Sequence, residues 1–266
     1  MELQGKLAVV TGASRGLGRQ LALALAREGY DLAICARDEG KLAEVGAEVV
    51  SLGAKCDSFS GDLGNDHILT AHKVWLASLP SIEVLINNAS YVQPLGPLDL
   101  LDPLEDVLSF QINLHVPVAF IRSVLPSMRK KSQGTIINIC SLSGRRAIRN
   151  MSLYCASKFA LRGLTEAVAQ ELEGSGVRCW SCSPGGMNTK TRSDLFGVAD
   201  AQRQQGPEVA AKHIVDALAG RLAIPNGADL VVRHGDVWVI QPELWESGEI
   251  IPAIRRVVHY KARVSA

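Results

Sequence analysis

The sequence predicts an α/β fold in which helices cover both faces of a doubly wound parallel sheet. Short apolar runs typical of buried strands alternate with longer segments whose apolar residues recur at helical spacing. Aromatic residues make up only 5% of a chain rich in aliphatic side chains, as expected when both faces of a sheet are buried. The length of 266 residues suits one large domain of this class. We therefore expect residues 1–241 to form a single domain with right-handed crossovers.

The first half of this domain is predicted to contain four strands and three helices. The first strand is an apolar run that ends at a glycine-rich turn, and the helix after it stops at Gly29. A second helix is expected despite Gly46, a weak helix former. The predicted strands are residues 6–11, 31–36, 58–63 and 84–87, and the predicted helices are residues 16–28, 41–52 and 66–79.

The second half continues the alternation and ends in a hairpin. Residues 103–131 are predicted to be mostly helical, with a kink or break at Pro117, which lacks an N–H. A tight turn is expected at residues 234–236. Residues 242–266 break the pattern, and we expect this tail to pack on the domain or on a neighbouring subunit. The other predicted strands are residues 134–141, 177–183, 228–233 and 237–240, and the other helices are residues 152–173 and 208–218.

Charge and composition argue against several classes of partner and location. The formal net charge is +1, so neither a nucleic acid nor an acidic membrane surface is an expected partner. The first residues lack the pattern of a signal peptide, and no apolar run is judged long enough to span a bilayer. The sequence therefore predicts a cytoplasmic protein.

The six cysteines are expected to be reduced and mostly buried. Cys179 and Cys182 form a CxxC pattern, but a redox CxxC normally opens a helix. These two lie in a predicted strand, where residues three apart point to opposite faces. No group of His and Cys residues has the spacing of metal ligands, so no metal site is expected.

The turn after the first strand has the features of a dinucleotide-binding loop. The segment TGASRGLG, residues 11–18, joins a predicted strand to a predicted helix. Unpaired N–H groups at the start of a helix carry partial positive charge and bind pyrophosphate. Gly12 would permit the tight turn, Gly16 a close approach of the backbone, and Gly18 close packing of the helix. The alternative is a glycine-rich turn without a ligand.

The end of the second strand favours NADP over NAD. NAD sites usually place an acidic residue there to hold the ribose 2′-hydroxyl, but this strand ends in Ala36 and Arg37. Arg37 can make a planar, charge-assisted contact with a 2′-phosphate, and Arg15 in the glycine loop is placed to reach the same group. The alternative is a pair of solvated charges, with which Asp38 beside Arg37 is compatible.

A tyrosine and a lysine on the helix predicted at residues 152–173 form the candidate catalytic pair. Tyr154 and Lys158 are four residues apart and therefore share a helix face. The pKa of free tyrosine, ~10, is too high for facile proton exchange near neutrality, and a nearby ammonium group would lower it. Spacing alone does not make the case, because such pairs are common on helices.

With the motifs around it, this pair resembles the short-chain dehydrogenase/reductase family, in its compact single-domain branch. The resemblance covers about residues 5–235, and the motifs follow the family order. TGASRGLG is similar to the family's TGxxxGxG loop, residues 87–89 to its NNAG motif, and Tyr154 with Lys158 to its YxxxK motif. The other matches are Asp62 and Leu63 after the third strand, Asn113 on a helix, Ser141 after the fifth strand, and Pro184, Gly185, Met187 and Thr189 after the sixth.

The resemblance implies a single-domain Rossmann fold, NADP(H) as cofactor, and hydride transfer between the nicotinamide and a carbonyl or alcohol substrate. Tyr154 would be the general acid in reduction and the general base in oxidation, and Lys158 would lower its pKa and hold the nicotinamide ribose. Ser141 would bind the substrate oxygen, and Asn113 would fix a water that relays protons to Lys158. The implied cofactor contacts are Gly12, Ser14, Arg15, Gly16, Leu17, Gly18, Arg37, Asp62, Leu63, Asn88, Ala89, Tyr154, Lys158, Pro184, Gly185, Met187 and Thr189.

The sequence departs from the family pattern at one position and offers a choice at another. The NNAG motif ends here in Ser90, and serine tolerates poorly some backbone shapes that glycine adopts, so the local turn is expected to differ. Ser143 is a second hydroxyl near the site, but Ser141 directly ends the strand and is preferred.

The substrate stays open at this point. Residues 90–102, 142–152 and 187–207 are expected to shape its pocket, and Arg145, Arg146 and Arg149 are either solvated or attract an anionic group. Family members usually form dimers or tetramers through the helices that hold Asn113 and Tyr154, so a homo-oligomer is expected.

Three rival functions remain. One is an NADP-binding sensor or scaffold without turnover, and another is an NAD-dependent alcohol dehydrogenase. The third is an epimerase or dehydratase of the family's extended branch, which usually has a larger C-terminal domain than this tail would form.

Overall fold

A nine-stranded sheet forms the centre of the protein in a computed structural model, which describes residues 3, 6–241 and 257–260. Its strands are β1 (Lys6–Thr11), β2 (Tyr30–Ala36), β3 (Cys56–Ser60), β4 (Ile82–Asn87), β5 (Gly134–Ile139), β6 (Val177–Pro184), β7 (Asp229–Arg233), β8 (Asp236–Ile240) and β9 (Val257–Tyr260). Their order is β3-β2-β1-β4-β5-β6-β7-β8-β9. Pairing is parallel from β3 to β7 and antiparallel from β7 to β9.

Helices cover both faces of this sheet, which makes the fold a doubly wound Rossmann fold, as the sequence predicted. They are α1 (Gly16–Arg27), α2 (Glu39–Ser51), α3 (Asp66–Ser78), α4 (Leu104–Phe110), α5 (Val116–Lys131), α6 (Ser152–Glu171), α7 (Lys190–Phe196), α8 (Val198–Gln202) and α9 (Pro207–Leu218). Apolar side chains of α1, α2 and α9 form a core with one face of the sheet. Those of α3, α5 and α6 form a second core on the other face.

The two cysteines of the CxxC pattern demonstrate the alternation of a strand buried on both faces. Cys179 lies in one core and Cys182 in the other, so the two thiols face away from each other as predicted. All six cysteines are free, and five of them are buried. The CxxC pattern is therefore a structural feature of β6.

The predicted helix at residues 103–131 changes its hydrogen bonding before Pro117. A π-helical segment, Gln111–His115, joins α4 to α5, and Pro117 lies in the first turn of α5. Pro117 has no N–H to donate to the carbonyl of Asn113, four residues earlier. The expected break is thus a change from α-helix to π-helix. It includes Asn113, the residue that resembles the family's active-site asparagine.

The expectation that no apolar run is long enough to span a bilayer is wrong for this helical run. By length and composition Leu104–Lys131, with 28 residues, would be able to cross a membrane, whereas no such run was expected. In this structure Val116, Phe120 and Val124 of the run are buried in the core beneath the sheet, as in the core helix of a globular domain.

Other boundaries differ for identifiable local reasons. α2 begins two residues before the prediction because Asp38 caps it, accepting a hydrogen bond from Lys41 N at 3.1 Å. β3 covers residues 56–60 and not 58–63, because the chain turns out of the sheet at Gly61. The short helices α7 and α8 occupy a segment expected to be a loop.

The end of the sheet shows one confirmed and one unexpected feature. Between β7 and β8, His234 and Gly235 both have positive φ, as a two-residue hairpin turn requires. Strand β9 lies in the predicted tail and pairs with β8. The rest of the tail, residues 242–256 and 261–266, lies outside the described residues, so its packing stays a prediction.

Candidate active site

The candidate site is a cleft of about 810 Å3 at the carboxyl ends of the parallel strands. The strand order reverses between β1 and β4, which is where ligands bind in sheets of this kind. The cleft is lined by every residue in the predicted catalytic and cofactor sets except Asn113. Asn113 is buried just behind it, on the π-helical segment.

The glycine loop has the conformation that a pyrophosphate site needs. Gly12 and Gly16 have φ values of +67° and +55°, a region in which side chains are strained. A Cβ on Gly18 would stand 2.2 Å from the carbonyl oxygen of Gly12, so this close packing of α1 on the loop requires glycine. The N-cap of α1, Arg15, makes no side-chain capping bond. The first N–H groups of α1 therefore face the cleft without a side-chain acceptor, and they can bind an anion.

The residues after β4 hold this loop in place. The backbone N–H groups of Asn88 and Ala89 both donate to Thr11 Oγ1 at 2.9 Å. Asn88 Nδ2 donates to the carbonyl oxygens of Thr11 and Gly12 at 2.8 and 3.2 Å. The segment that resembles the NNAG motif thus fixes the phosphate loop from the neighbouring strand.

Two arginines stand at the end of the cleft that is formed by the glycine loop and the end of β2. Arg15 and Arg37 are exposed and line it, and no ion pair of either is found among the described residues. The Asp38 carboxylate, which lies next to Arg37 in sequence, instead caps α2 and pairs with Lys41 at 3.2 Å. Asp62 lines the same end and accepts a hydrogen bond from Gly64 N at 3.0 Å.

The far end of the cleft is bordered by the segment after β6. Gly185 packs against Arg233, and Thr189 caps α7 by accepting from Arg192 N at 3.3 Å. The Thr189 methyl group lies 3.4 Å from where a Cβ on Gly16 would be. This segment therefore approaches the glycine loop closely at one side of the cleft.

Tyr154 and Ser141 meet at the centre of the cleft. The side chains of Tyr154, Ser141 and Ser90 line this part of the cleft together. Ser141 Oγ accepts from the N–H of Ser143 at 3.1 Å, which orients its hydroxyl. Burial raises the pKa of Tyr154 above its ordinary value, and the neighbouring hydroxyls of Ser141 and Ser90 offset part of this rise.

Lys158 is almost fully buried beside this pair. Its Nζ donates to the Ile139 carbonyl at 2.9 Å and lies 5.8 Å from the centroid of the Tyr154 ring. Burial lowers the pKa of Lys158 to about 8. The expected lowering of the Tyr154 pKa by Lys158 stays a prediction.

Asn113 uses its whole side-chain amide to join neighbouring elements. Its Oδ1 accepts from Ser90 Oγ at 3.0 Å and from Tyr91 N at 2.9 Å. Its Nδ2 donates to the Tyr91 carbonyl at 2.8 Å and to Ser157 Oγ at 3.0 Å. The amide thereby ties the loop after β4 to α6, and any water held by Asn113 would need its main-chain carbonyl.

Two supporting contacts were not predicted. Gln93 is fully buried, and its Oε1 accepts from the N–H of Tyr154 at 2.6 Å, in the first turn of α6. Arg145 pairs with the buried Asp229 at 2.5 Å, so its guanidinium is not a solvated group or a free anion receptor, as was considered. Sequence gives no signal for either contact, because the partners are 61 and 84 residues apart.

Ser90 also differs from expectation. The described non-glycine residues with positive φ are Ser132, Asn150 and His234, so Ser90 adopts an ordinary backbone conformation. The serine fits this turn without strain, and its hydroxyl donates to Asn113 Oδ1 at 3.0 Å.

Comparison with known proteins agrees with this geometry. The family model described as short chain dehydrogenase matches residues 6–197, and the chain therefore belongs to the short-chain dehydrogenase family of oxidoreductases. An uncharacterized oxidoreductase of Staphylococcus saprophyticus is 34% identical over 231 residues, covering 82% of this chain and 93% of the relative. The ketoacyl reductase HetN of a Nostoc species is 36% identical over 225 residues, covering 82% and 77%.

A solved structure supports the same assignment. A metagenomic short-chain oxidoreductase in complex with NADP is 32% identical, with a TM-score of 0.73 over 86% of this chain and 96% of the other.

Proposed function

We propose that this protein is an NADP(H)-dependent oxidoreductase that interconverts a carbonyl and an alcohol on a small-molecule substrate. The observation that carries the proposal is that Tyr154 and Ser141 line the same cleft as the glycine loop. A proton donor, an oxygen-binding hydroxyl and a nucleotide cradle thus converge on one space, as carbonyl reduction requires.

NADP(H) fits the residues of the cleft. Gly12, Gly16 and the start of α1 would hold the pyrophosphate, and Arg15 with Arg37 would pair with the 2′-phosphate. The NADP-bound structural relative supports this choice. The bound cofactor supplies or accepts the hydride, and the protein supplies orientation and protons.

The protein's own groups account for the proton chemistry. In reduction, Ser141 donates a hydrogen bond to the substrate oxygen and stabilises its developing negative charge, while Tyr154 gives it a proton. In oxidation, Tyr154 takes that proton back. Lys158, whose pKa of about 8 lies near neutrality, is suited to replace the proton of Tyr154 and to hold the nicotinamide ribose. The Asn113 carbonyl, which Pro117 leaves without its usual donor, would hold the water that connects Lys158 to solvent.

The same reasoning extends to assembly and location. We infer a homo-oligomer that pairs through α4 and α6, because Leu104 and Val107 on α4 are 65% and 63% exposed. Six free cysteines suit the reducing cytoplasm.

Cofactor titration tests the proposal. Quenching of protein fluorescence should show tight NADPH binding and weak NADH binding. Arg37→Ala should weaken NADPH binding about tenfold or more, because charge-assisted hydrogen bonds to the phosphate are lost, and NADH binding should hardly change. Arg27→Ala, an exposed arginine at the end of α1, is the matched control and should bind as the wild type does.

Turnover is then measured with a panel of ketones and aldehydes by the loss of NADPH absorbance. Tyr154→Phe should abolish turnover and retain cofactor binding. Binding of neither cofactor would refute the oxidoreductase assignment. Equal affinity for NADH and NADPH would favour an NAD-dependent dehydrogenase, and binding without turnover on the whole panel would favour a sensor.

A further inference from the structure

The loop after β5 places an arginine close to the candidate catalytic serine. The N–H of Arg146 donates to the carbonyl of Leu142, the residue that follows Ser141, at 3.1 Å. The Arg146 side chain therefore begins about one helical turn, roughly 5 Å, beyond the residue next to Ser141. All three residues line the cleft, so Arg146 lies at the end of the cleft where the substrate oxygen would bind.

The backbone around Arg146 is fixed on both sides, whereas its guanidinium is free. The preceding Arg145 forms an ion pair with the buried Asp229, and the N–H of Ile148 donates to Cys155 Sγ on α6 at 3.4 Å. Arg146 itself is exposed, and within the described part of the chain its guanidinium has no ion pair. A cation on a fixed backbone loses little conformational entropy when it binds an anion.

Other cations near this end of the cleft differ from Arg146. Lys190 Nζ pairs with Asp194 at 2.8 Å, and Arg192 pairs with Asp200. Arg233 follows β7, and β6 separates that strand from β5. Arg146 therefore combines a free charge with a position on the same loop as the candidate catalytic serine.

The acidic residues of the cleft lie at its opposite end. Among the described residues that line it, the carboxylates are those of Asp38 and Asp62, which follow β2 and β3. Strands β1 and β4 separate β2 from β5, so the ends of β2 and β5 stand roughly 14 Å apart at the usual strand spacing. An anion beside Arg146 would therefore meet little repulsion from these carboxylates.

Apolar side chains line the cleft between and beside these polar groups. They belong to the loop of Ser141 and to α7, and they are Leu142, Ile148, Met151, Leu195 and Phe196. A substrate whose carbonyl oxygen lies at Ser141 would place an apolar body against these side chains. Its acidic group would then lie within reach of Arg146.

We propose that the substrate is a keto acid or an aldehyde acid whose carboxylate pairs with Arg146. This inference rests on the proposed function and names the substrate class of the same site. A guanidinium binds a carboxylate through two parallel hydrogen bonds, which would direct the carbonyl group toward Ser141. The carboxylate is unchanged by the reaction: the hydride passes between the cofactor and the carbonyl carbon, and the proton passes between Tyr154 and the oxygen. Arg146 is thus a specificity-determining residue.

Binding of unreactive carboxylates tests the proposal without turnover. Phenylacetate, phenylpropionate, phenylbutyrate and their three amides are titrated calorimetrically into the protein saturated with NADP+, so that the cofactor occupies Arg15 and Arg37. The wild type should bind at least one carboxylate about tenfold more tightly than its amide. Arg146→Met should abolish this difference. Arg149→Met, an exposed arginine of the same loop that is not among the described residues lining the cleft, should bind as the wild type does.

Turnover shows whether the same contact selects the substrate. Benzoylformate, benzoylpropionate and benzoylbutyrate are compared with their methyl esters by the loss of NADPH absorbance. The wild type should prefer at least one acid to its ester by about tenfold or more in kcat/KM. Arg146→Met should lose this preference through KM with kcat nearly unchanged, because Arg146 does not touch the reacting atoms. Arg146→Lys, which keeps the charge, should retain part of it.

Three results would overturn the proposal. One is equal affinity of the wild type for every carboxylate and its amide, and another is a carboxylate preference that survives in Arg146→Met. The third is a loss caused by Arg233→Met and not by Arg146→Met, which would assign the carboxylate to Arg233. Failure of NADP+ to bind would refute the proposed function instead, and the same titration of the cofactor-free protein would still decide whether Arg146 binds a carboxylate.

Discussion

Lys158 illustrates how one residue is placed at a cost in stability. Its ammonium is almost fully removed from water and donates a hydrogen bond to the Ile139 carbonyl at 2.9 Å. Burial of a charge with so little compensation disfavours the protonated form, which is why its pKa falls to about 8 from the ordinary 10.5. The folded state therefore binds this proton more weakly than the unfolded chain does, and folding is opposed wherever the lysine must be charged.

Removing the charge of Lys158 should relieve this opposition to folding. Lys158→Met should raise the free energy of unfolding at pH 7 by about 2 kcal/mol, the burial penalty less one lost hydrogen bond, while abolishing turnover. The free-energy cost of burying the lysine charge is complete below a pH of about 8 and absent above 10.5. The gain in the free energy of unfolding of the variant over the wild type should therefore shrink between these pH values. Urea unfolding at several pH values measures it.

Lys130→Met supplies the matched control, because Lys130 is exposed at the end of α5. It should leave the stability unchanged within about 0.5 kcal/mol at every pH. A Lys158→Met protein that is less stable than the wild type at pH 7 would mean that the buried lysine is favourably paired, contrary to the structure.

At the scale of elements, the loop that carries Ser141 is held from two sides. A Cβ on Gly144 would stand 2.8 Å from the Lys158 carbonyl oxygen, so the loop packs directly on α6. On the other side Arg145 reaches Asp229 of β7, which also accepts from Ser181 and Ser183 of β6 at 2.8 Å. The position of the Ser141 hydroxyl thus depends on a polar cluster that joins this loop to strands β6 and β7.

Breaking this cluster should lower both stability and activity. Arg145→Met leaves the carboxylate of Asp229, which is 2% exposed, without its cation, and such a loss costs about 3 kcal/mol. Urea unfolding should show this loss, and kcat should fall because Ser141 is held less firmly. The exposed Arg149→Met in the same loop should keep wild-type stability, and equal stability of the two variants would contradict the importance of the ion pair.

The elements also show which features the sequence could reveal. The glycine loop, Asn88, Ser141 and Tyr154 each follow a strand or lie on a helix with clear apolar periodicity, so their meeting at one sheet edge was predictable. The ion pair of Arg145 with Asp229 joins residues 84 apart, and only tertiary packing creates it. The helices α7 and α8 have 7 and 5 residues, too few to show a period, and the π-helical turn at Asn113 leaves no compositional trace.

The charge and surface of the whole molecule suggest how copies of it associate. The net charge of +1 gives little long-range repulsion between subunits. Leu100, Leu104 and Val107 are 75%, 65% and 63% exposed, and α4 packs beside α6, where Phe159 is 38% exposed. Apolar side chains grouped in this way mark association surfaces in soluble proteins. Because α4 continues through the π-helical segment into α5, pairing at this surface would also brace Asn113.

A test of assembly follows from this surface. Leu104 and Val107 are three residues apart on one face of α4, and placing two carboxylates there should prevent another copy from burying it. We expect the wild type to elute as a multiple of its 28.5 kDa mass in size-exclusion chromatography with light scattering, and Leu104→Glu with Val107→Glu to shift the mass to that of one chain. Val74→Glu, at an apolar residue 67% exposed on α3, should leave the mass unchanged.

A monomeric wild type would show that the chain does not form an oligomer, and a double variant that keeps the wild-type mass would place the subunit contacts elsewhere. One further outcome is that the dissociated variant loses turnover while it still binds NADPH. We would attribute that loss to Asn113, because its amide ties the loop after β4 to α6 and would no longer be supported by the neighbouring subunit.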